Sequence, residues 1–138
     1  IKPELVSERI REIRTAGVVS CASITPQRTE AFAKYIVDAE LDLLVIQGTV
    51  VSAEHVSKSV EPLNLKRFVR ELDIPVIVGG CASYQAALHL MRTGAAGILV
   101  GVGPGHACTT RGVLGIGVPQ ATAEPAPTAE PAELNLVA

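Results

Sequence analysis

Four short apolar runs, three of which break off at glycine or a polar residue, constrain this chain more than any other feature. They are Val18 to Ser23, Leu41 to Ile46, Val76 to Val78 and Ala95 to Val100. The second is nearly continuous in apolar residues, as expected of a parallel strand covered on both faces. The last three finish in Gln47-Gly48, Gly79-Gly80 and Gly101. Helical patterns lie around and between these runs. Pro3 opens a segment in which Val6, Ile10 and Ile13 form one stripe, and Gly17 ends it. Thr25 is an N-cap candidate with Pro26 at the first helical position, followed by Phe32, Tyr35, Ile36 and Ala39 on one face. Ser52 to Lys58 is expected to form a short helix, and Leu65, Phe68, Val69 and Leu72 a better one. Ser83 caps a helix carrying Ala87, Leu90 and Met91, which Gly94 closes.

Four strands alternating with helices make a parallel α/β architecture. Two arrangements fit, a small doubly wound sheet or half of a (β/α) barrel. Repeated Gly or polar residues at the carboxyl ends suit a ring of strand ends around one ligand, and so favour the barrel. The length of 138 residues allows one domain with a real core, but not a complete eight-unit barrel, which takes roughly 200 residues or more.

From Glu124 the composition changes to Glu-Pro-Ala-Pro-Thr-Ala-Glu-Pro-Ala-Glu. Prolines this close together cannot continue a helix or a central strand. The chain therefore divides into a (β/α) segment, 1–123, and a Pro/Ala/Glu-rich tail, 124–138, expected to be disordered.

Composition removes several function classes. Aromatics are 3% of residues with no Trp, and the formal charge is −2, so neither a base-stacking platform nor a basic patch for nucleic acid or anionic membranes is expected. No apolar run approaches the roughly 18 residues of a membrane span, and the amino terminus is not expected to act as a signal peptide. Three widely spaced cysteines at 21, 81 and 108 form neither a disulfide framework nor a zinc motif, which points to a reducing cytoplasm.

Chemistry concentrates between Gly101 and Ala123. Gly101, Gly103 and Gly105 free the backbone to turn amides or carbonyls toward a ligand, and Pro104 stiffens the turn. Cys108, Thr109, Thr110 and Arg111 follow, so a thiol, two hydroxyls and a guanidinium share one loop after a strand. An anonymous cysteine is more often a small buried hydrophobe than a catalyst, and Cys21 and Cys81 are read that way. His55 and His89 lie on predicted helices and are read as surface or satisfied core residues.

This stretch closely resembles the catalytic loop of the IMP dehydrogenase and GMP reductase family, Gly-x-Gly-x-Gly-Ser-x-Cys-x-Thr ending in Gly-x-Pro-Gln-x-Thr-Ala. The matching residues are Gly101, Gly103, Gly105, Cys108 and Thr110, then Gly117, Pro119, Gln120, Thr122 and Ala123. The resemblance covers about residues 1–123 and implies a partial TIM barrel, about four strands of eight. It implies an oxidoreductase of guanine nucleotide biosynthesis that takes IMP to XMP with NAD. Cys108 would be the nucleophile and Thr110 would help activate water. Gly105, His106 and Cys108 would contact substrate, and Gln47, Gly101 and Gly103 the cofactor. Carbonyls of Gly103, Gly105 and Cys108 would hold a potassium ion.

Departures accompany the match. His106 stands where the family has a phosphate-contacting Ser, Gln47 where it has an Asp at the nicotinamide ribose, Gly80 on an Asn, and Leu99 on an Arg. The family's phosphate loops and mobile Arg-Tyr flap have no counterpart here, so the chain is expected to be a segment or truncated paralogue. The resembling enzymes are cytoplasmic tetramers. GMP reductase, with NADPH, is the close alternative, and a non-catalytic half barrel serving in assembly is a reading from another class.

Overall fold

A computed structural model describes residues 2–48, 50–51, 63–123 and 136–137. Along the chain run α1 (Pro3–Thr15), β1 (Cys21–Ile24), α2 (Pro26–Asp38), β2 (Leu43–Gln47), α3 (Leu65–Glu71), β3 (Val76–Cys81), α4 (Tyr84–Met91) and β4 (Gly97–Val100). Then come α5 (Thr109–Leu114), α6 (Gln120–Ala123) and β5 (Leu136–Val137). The helix expected at Ser52 to Lys58 and His55 lie outside the described residues.

All the strands are parallel, and their order in the sheet is β1-β2-β3-β4-β5, the order of the sequence. Crossovers between parallel strands are almost always right-handed, so an order that never reverses keeps every connecting helix on one side. A doubly wound sheet must reverse its order to cover both faces. This sheet is therefore an arc of a (β/α) barrel, as its strand ends implied.

Burial follows the same division. On the helix side, the row Ile24, Ile46, Val78, Ile98 is in register across four strands. Ile46, Val78 and Ile98 are at most 1% exposed and join Ile36, Phe68 and Leu90 in one core. The opposite face carries Cys21, Ser23, Leu43, Val45, Gln47, Ile77 and Leu99, none of which is fully buried. One exception closes this face tightly. A Cβ on Gly79 would lie 2.5 Å from both the Cβ and the carbonyl oxygen of Leu99, so β3 and β4 meet at a bare glycine.

Local signals behaved largely as their chemistry dictates. Gly17 and Gly94 take φ of +74° and +97° where α1 and α4 stop. Ser83 Oγ accepts from the Ala86 amide at 3.3 Å, and Asn64 does the same for α3, from Arg67 at 3.0 Å. Pro26 opens α2, but the Thr25 side chain does not cap it. Instead the Thr25 carbonyl accepts from the Arg28 amide and the Thr29 hydroxyl, both at 3.0 Å. The first strand begins three residues later than expected, leaving Val18 and Val19 exposed ahead of it. A two-residue fifth strand adds to the four expected. Leu136–Val137 pairs with β4, so these two residues of the expected disordered tail are extended in the sheet, and 124–135 lie outside the described residues.

At the amino ends of β1 and β2 the sheet is locked by polar groups. Ser20, wholly buried, donates its amide and hydroxyl to Asp42 Oδ2 at 2.8 and 2.7 Å. The Asp42 amide returns a bond to Ser20 Oγ at 3.1 Å. Arg14, in the last turn of α1, pairs with Asp42 at 2.7 Å and donates to the Glu40 carbonyl. The Ser20 donors, foremost its amide, with help from Arg14 and against partial burial, hold the Asp42 carboxyl below its ordinary range.

Candidate active site

At the carboxyl end of β4 the chain enters a loop that returns on itself. Gly101 takes φ +136° and donates its amide to the Cys81 carbonyl at 2.7 Å, extending the ladder one bond past the strand. Val102 then pairs antiparallel with Val118, whose amide donates to the Val102 carbonyl at 2.8 Å. Gly103, at φ +54°, faces Gly117 so closely that a Cβ on Gly103 would stand 2.7 Å from the Ile116 carbonyl oxygen. Two glycine runs fourteen residues apart in sequence thus meet back to back at the loop's foot.

Between them, α5 stands largely in water. It buries no residue, and Val113 and Leu114 are 81% and 62% exposed. Cys108 is its N-cap residue, with a half-buried side chain. Gly115, in the left-handed region, ends it by donating to the Arg111 carbonyl at 3.1 Å. The Arg111 amide is the main group that favours the Cys108 thiolate. Partial burial opposes it, while the Thr110 amide and hydroxyl and the Arg111 charge assist, so the thiol titrates below its ordinary value. The other described thiols differ. Cys81 is buried, donates weakly to the Leu99 carbonyl at 3.7 Å, and is pushed up by burial. Cys21 is exposed on β1.

Cys108 opens onto a cavity of about 340 Å³. Gln47 and Gly48 from the end of β2, Gly80 from β3, and Gly101, Gly103 and Thr110 from the loop line it with the thiol. Gln47 also accepts from the Ser23 hydroxyl at 3.4 Å. None of the described residues in its wall carries a formal charge. The expected catalytic pair Cys108 and Thr110 and the expected cofactor residues Gln47, Gly101 and Gly103 thus come together. Gly105 and His106, expected at the substrate, do not. Both are exposed on the outside of the turn ahead of α5 and are absent from the cavity wall. Of the three carbonyls expected to hold potassium, that of Gly105 accepts the Cys108 amide at 3.2 Å and that of Cys108 the Gly112 amide at 3.0 Å. Each keeps a second lone pair, so the hard-oxygen donor set remains compatible with a monovalent cation.

One wall residue had been given no role from sequence. Gln120, the first residue of α6, reaches back with Nε2 to the Val100 carbonyl at 3.1 Å. Its signal was present in the Pro119-Gln120 pair, but nothing in sequence says that this amide turns toward the strand.

Comparison with known proteins gives the family and the fold. A family model described as IMP dehydrogenase / GMP reductase domain matches residues 7–137. An uncharacterized oxidoreductase of Mycobacterium tuberculosis is 52% identical over 124 residues, which are 89% of this chain and 33% of that protein. An inosine-5'-monophosphate dehydrogenase of Pasteurella multocida is 33% identical over 122 residues, 88% of this chain and 23% of the enzyme. The crystal structure of an IMP dehydrogenase/GMP reductase-like protein from Corynebacterium glutamicum superimposes with a TM-score of 0.77 at 46% identity, over 89% of this chain and 31% of its own. The chain spans about a third of the length of the first curated relatives it matches.

Proposed function

This chain belongs to the IMP dehydrogenase/GMP reductase family, and from that premise we propose that its loop is the nucleophile-bearing part of an oxidoreductase site that takes IMP to XMP with NAD. The observation that carries the reading is Cys108: a thiol favoured as thiolate by backbone amides, facing a cavity whose described wall residues carry no formal charge. Such a wall of glycine backbone and carboxamide suits a neutral heterocycle better than a phosphate.

In this reading the Cys108 thiolate adds to C2 of the purine ring. NAD, when bound, would supply the acceptor for the C2 hydrogen and its electron pair. Gln47 would hold a ribose hydroxyl through its carboxamide, and the bare backbone of Gly101 and Gly103 would let a flat ring approach closely. Water then displaces sulfur from the thioimidate, releasing XMP and returning the thiol. Thr110, whose hydroxyl helps to favour the thiolate, orients that water and carries its proton. Gly103, Gly105 and Cys108 would offer their carbonyls to a potassium ion that stiffens the turn. The remaining groups of such a site, those that hold the phosphate included, come from other strand ends of a full barrel. The enzyme would act in the cytoplasm as a homo-oligomer.

Mass-mapped labelling with a 6-chloropurine ribotide tests the reading. An adduct at Cys108 that excess IMP suppresses, and that Cys108→Ser abolishes, is the expected result. Equal labelling of Cys21, Cys81 and Cys108, indifferent to IMP, would refute it.

A further inference from the structure

We propose that Gln120 is the positioning residue of this loop: its carboxamide clamps the loop's return segment onto the end of β4 and so sets where the Cys108 thiol stands. The inference rests on the reading of Cys108 as the reacting thiol.

Packing does not hold the helix of this loop. α5 buries no side chain, and residues 111–117 are all exposed, so the core reaches the loop only at its foot, through buried Val102 and through Val118, which packs against the core. What remains is the foot. There, segments 100–102 and 118–120 run antiparallel and are joined at two places. One is the Val118 amide on the Val102 carbonyl, and the other is Gln120 Nε2 on the Val100 carbonyl. The carboxamide also lies over Gly101, where a Cβ would stand 2.8 Å from its Oε1. A side chain at 101 would displace it.

From that clamp, contact runs unbroken to the sulfur. Val102 and Val118 lead to Gly103 and Gly117, and a Cβ on Gly103 would lie 3.6 Å from Cys108 Sγ. Gly117 in turn is packed against the stem of Arg111, the residue whose amide faces the thiol. Opening the clamp therefore separates Gly103 from Gly117 and moves both the floor under the thiol and the amides that favour its charge. Gln120, Gly101, Gly103 and Cys108 line one cavity, so the displacement is felt where a ligand would sit.

The test is the pH-rate profile of iodoacetamide alkylation, resolved by cysteine, for the wild-type chain and for Gln120→Met and Gln120→Glu. Methionine keeps the length without the donor, and glutamate replaces the donor with an acceptor facing the Val100 carbonyl. Glutamate, nearly isosteric, also serves if the methionine variant does not fold. The expected result is a Cys108 midpoint below the ordinary thiol range in the wild type, rising in both variants, with the Cys108 rate at pH 7 falling about three- to fourfold for a shift of one unit, since the less acidic thiolate is the better nucleophile. Buried Cys81 should stay unlabelled throughout. Wild-type profiles in both variants would overturn this inference alone. Labelling of Cys81 in the variants would overturn it too, because Gln120 would then be holding the fold rather than the loop. A wild-type Cys108 no more reactive than Cys21 would remove the nucleophile reading and this inference with it.

Discussion

Asp42 shows how much a single carboxylate can organise when its donors are fixed. Its partners, the amide and hydroxyl of Ser20 and the guanidinium of Arg14, join two strands and a helix. Because the folded carboxyl titrates below its ordinary range, the unfolded chain binds more protons than the folded one as pH falls below about 4. Stability from this group is thus present above that point and is lost as pH drops through the folded value. Asp42→Asn should unfold earlier than wild type at pH 7, and thermal melts should converge as both are acidified to pH 2. A constant gap across that range would assign the effect to shape and not to charge. None of this lock was legible beforehand, since Ser20 and Asp42 are 22 residues apart and neither belongs to a motif. Cys108 was legible, because its neighbours in sequence are also the groups that shift it. Gly105 and His106 fall outside the cavity wall for the complementary reason: adjacency to the thiol along the chain does not say on which side of a turn a residue falls.

Elements were easiest to read where one residue type can do the work. Pro26, Ser83, Gly17 and Gly94 each mark a helix end because φ, a missing donor or a side-chain acceptor leaves little choice there. β5 was not legible, since two residues after a proline-rich run gain strand character only from the β4 edge beside them. α5 was missed as well, because Gly112 and Gly115 made the segment look like continuous loop. The two glycines are not equivalent. Gly112 sits inside the helix with open space around its Cα, whereas Gly115 takes φ +67° to end it. Gly112→Ala should therefore stabilise the chain by up to about 0.5–1 kcal/mol, and Gly115→Ala should destabilise it by about 1 kcal/mol. Urea unfolding midpoints check the pair, and equal shifts would contradict the helix boundaries.

For the molecule as a whole, the decisive fact is a sheet whose strand order never reverses and whose helices therefore gather on one side. That much followed from alternating runs and strand ends, although the register that makes one face apolar and half-covered had to be seen. Leu43, Val45, Ile77 and Leu99 lie on that face. Its exposure should let the folded chain bind a hydrophobic dye such as anilinonaphthalene sulfonate before any unfolding transition, and Leu43→Glu should weaken that signal. A cooperative chain with no dye response would mean that this face is covered in solution. The polar lock described at the amino ends of β1 and β2 has a wider consequence. It fastens the sheet at the edge opposite the one from which the thiol loop springs. Residues 103–117 can thus be exchanged as a cassette between two anchored valines while the fastening is left alone, so that selection, or an engineer, can alter reactivity and heat tolerance as independent variables.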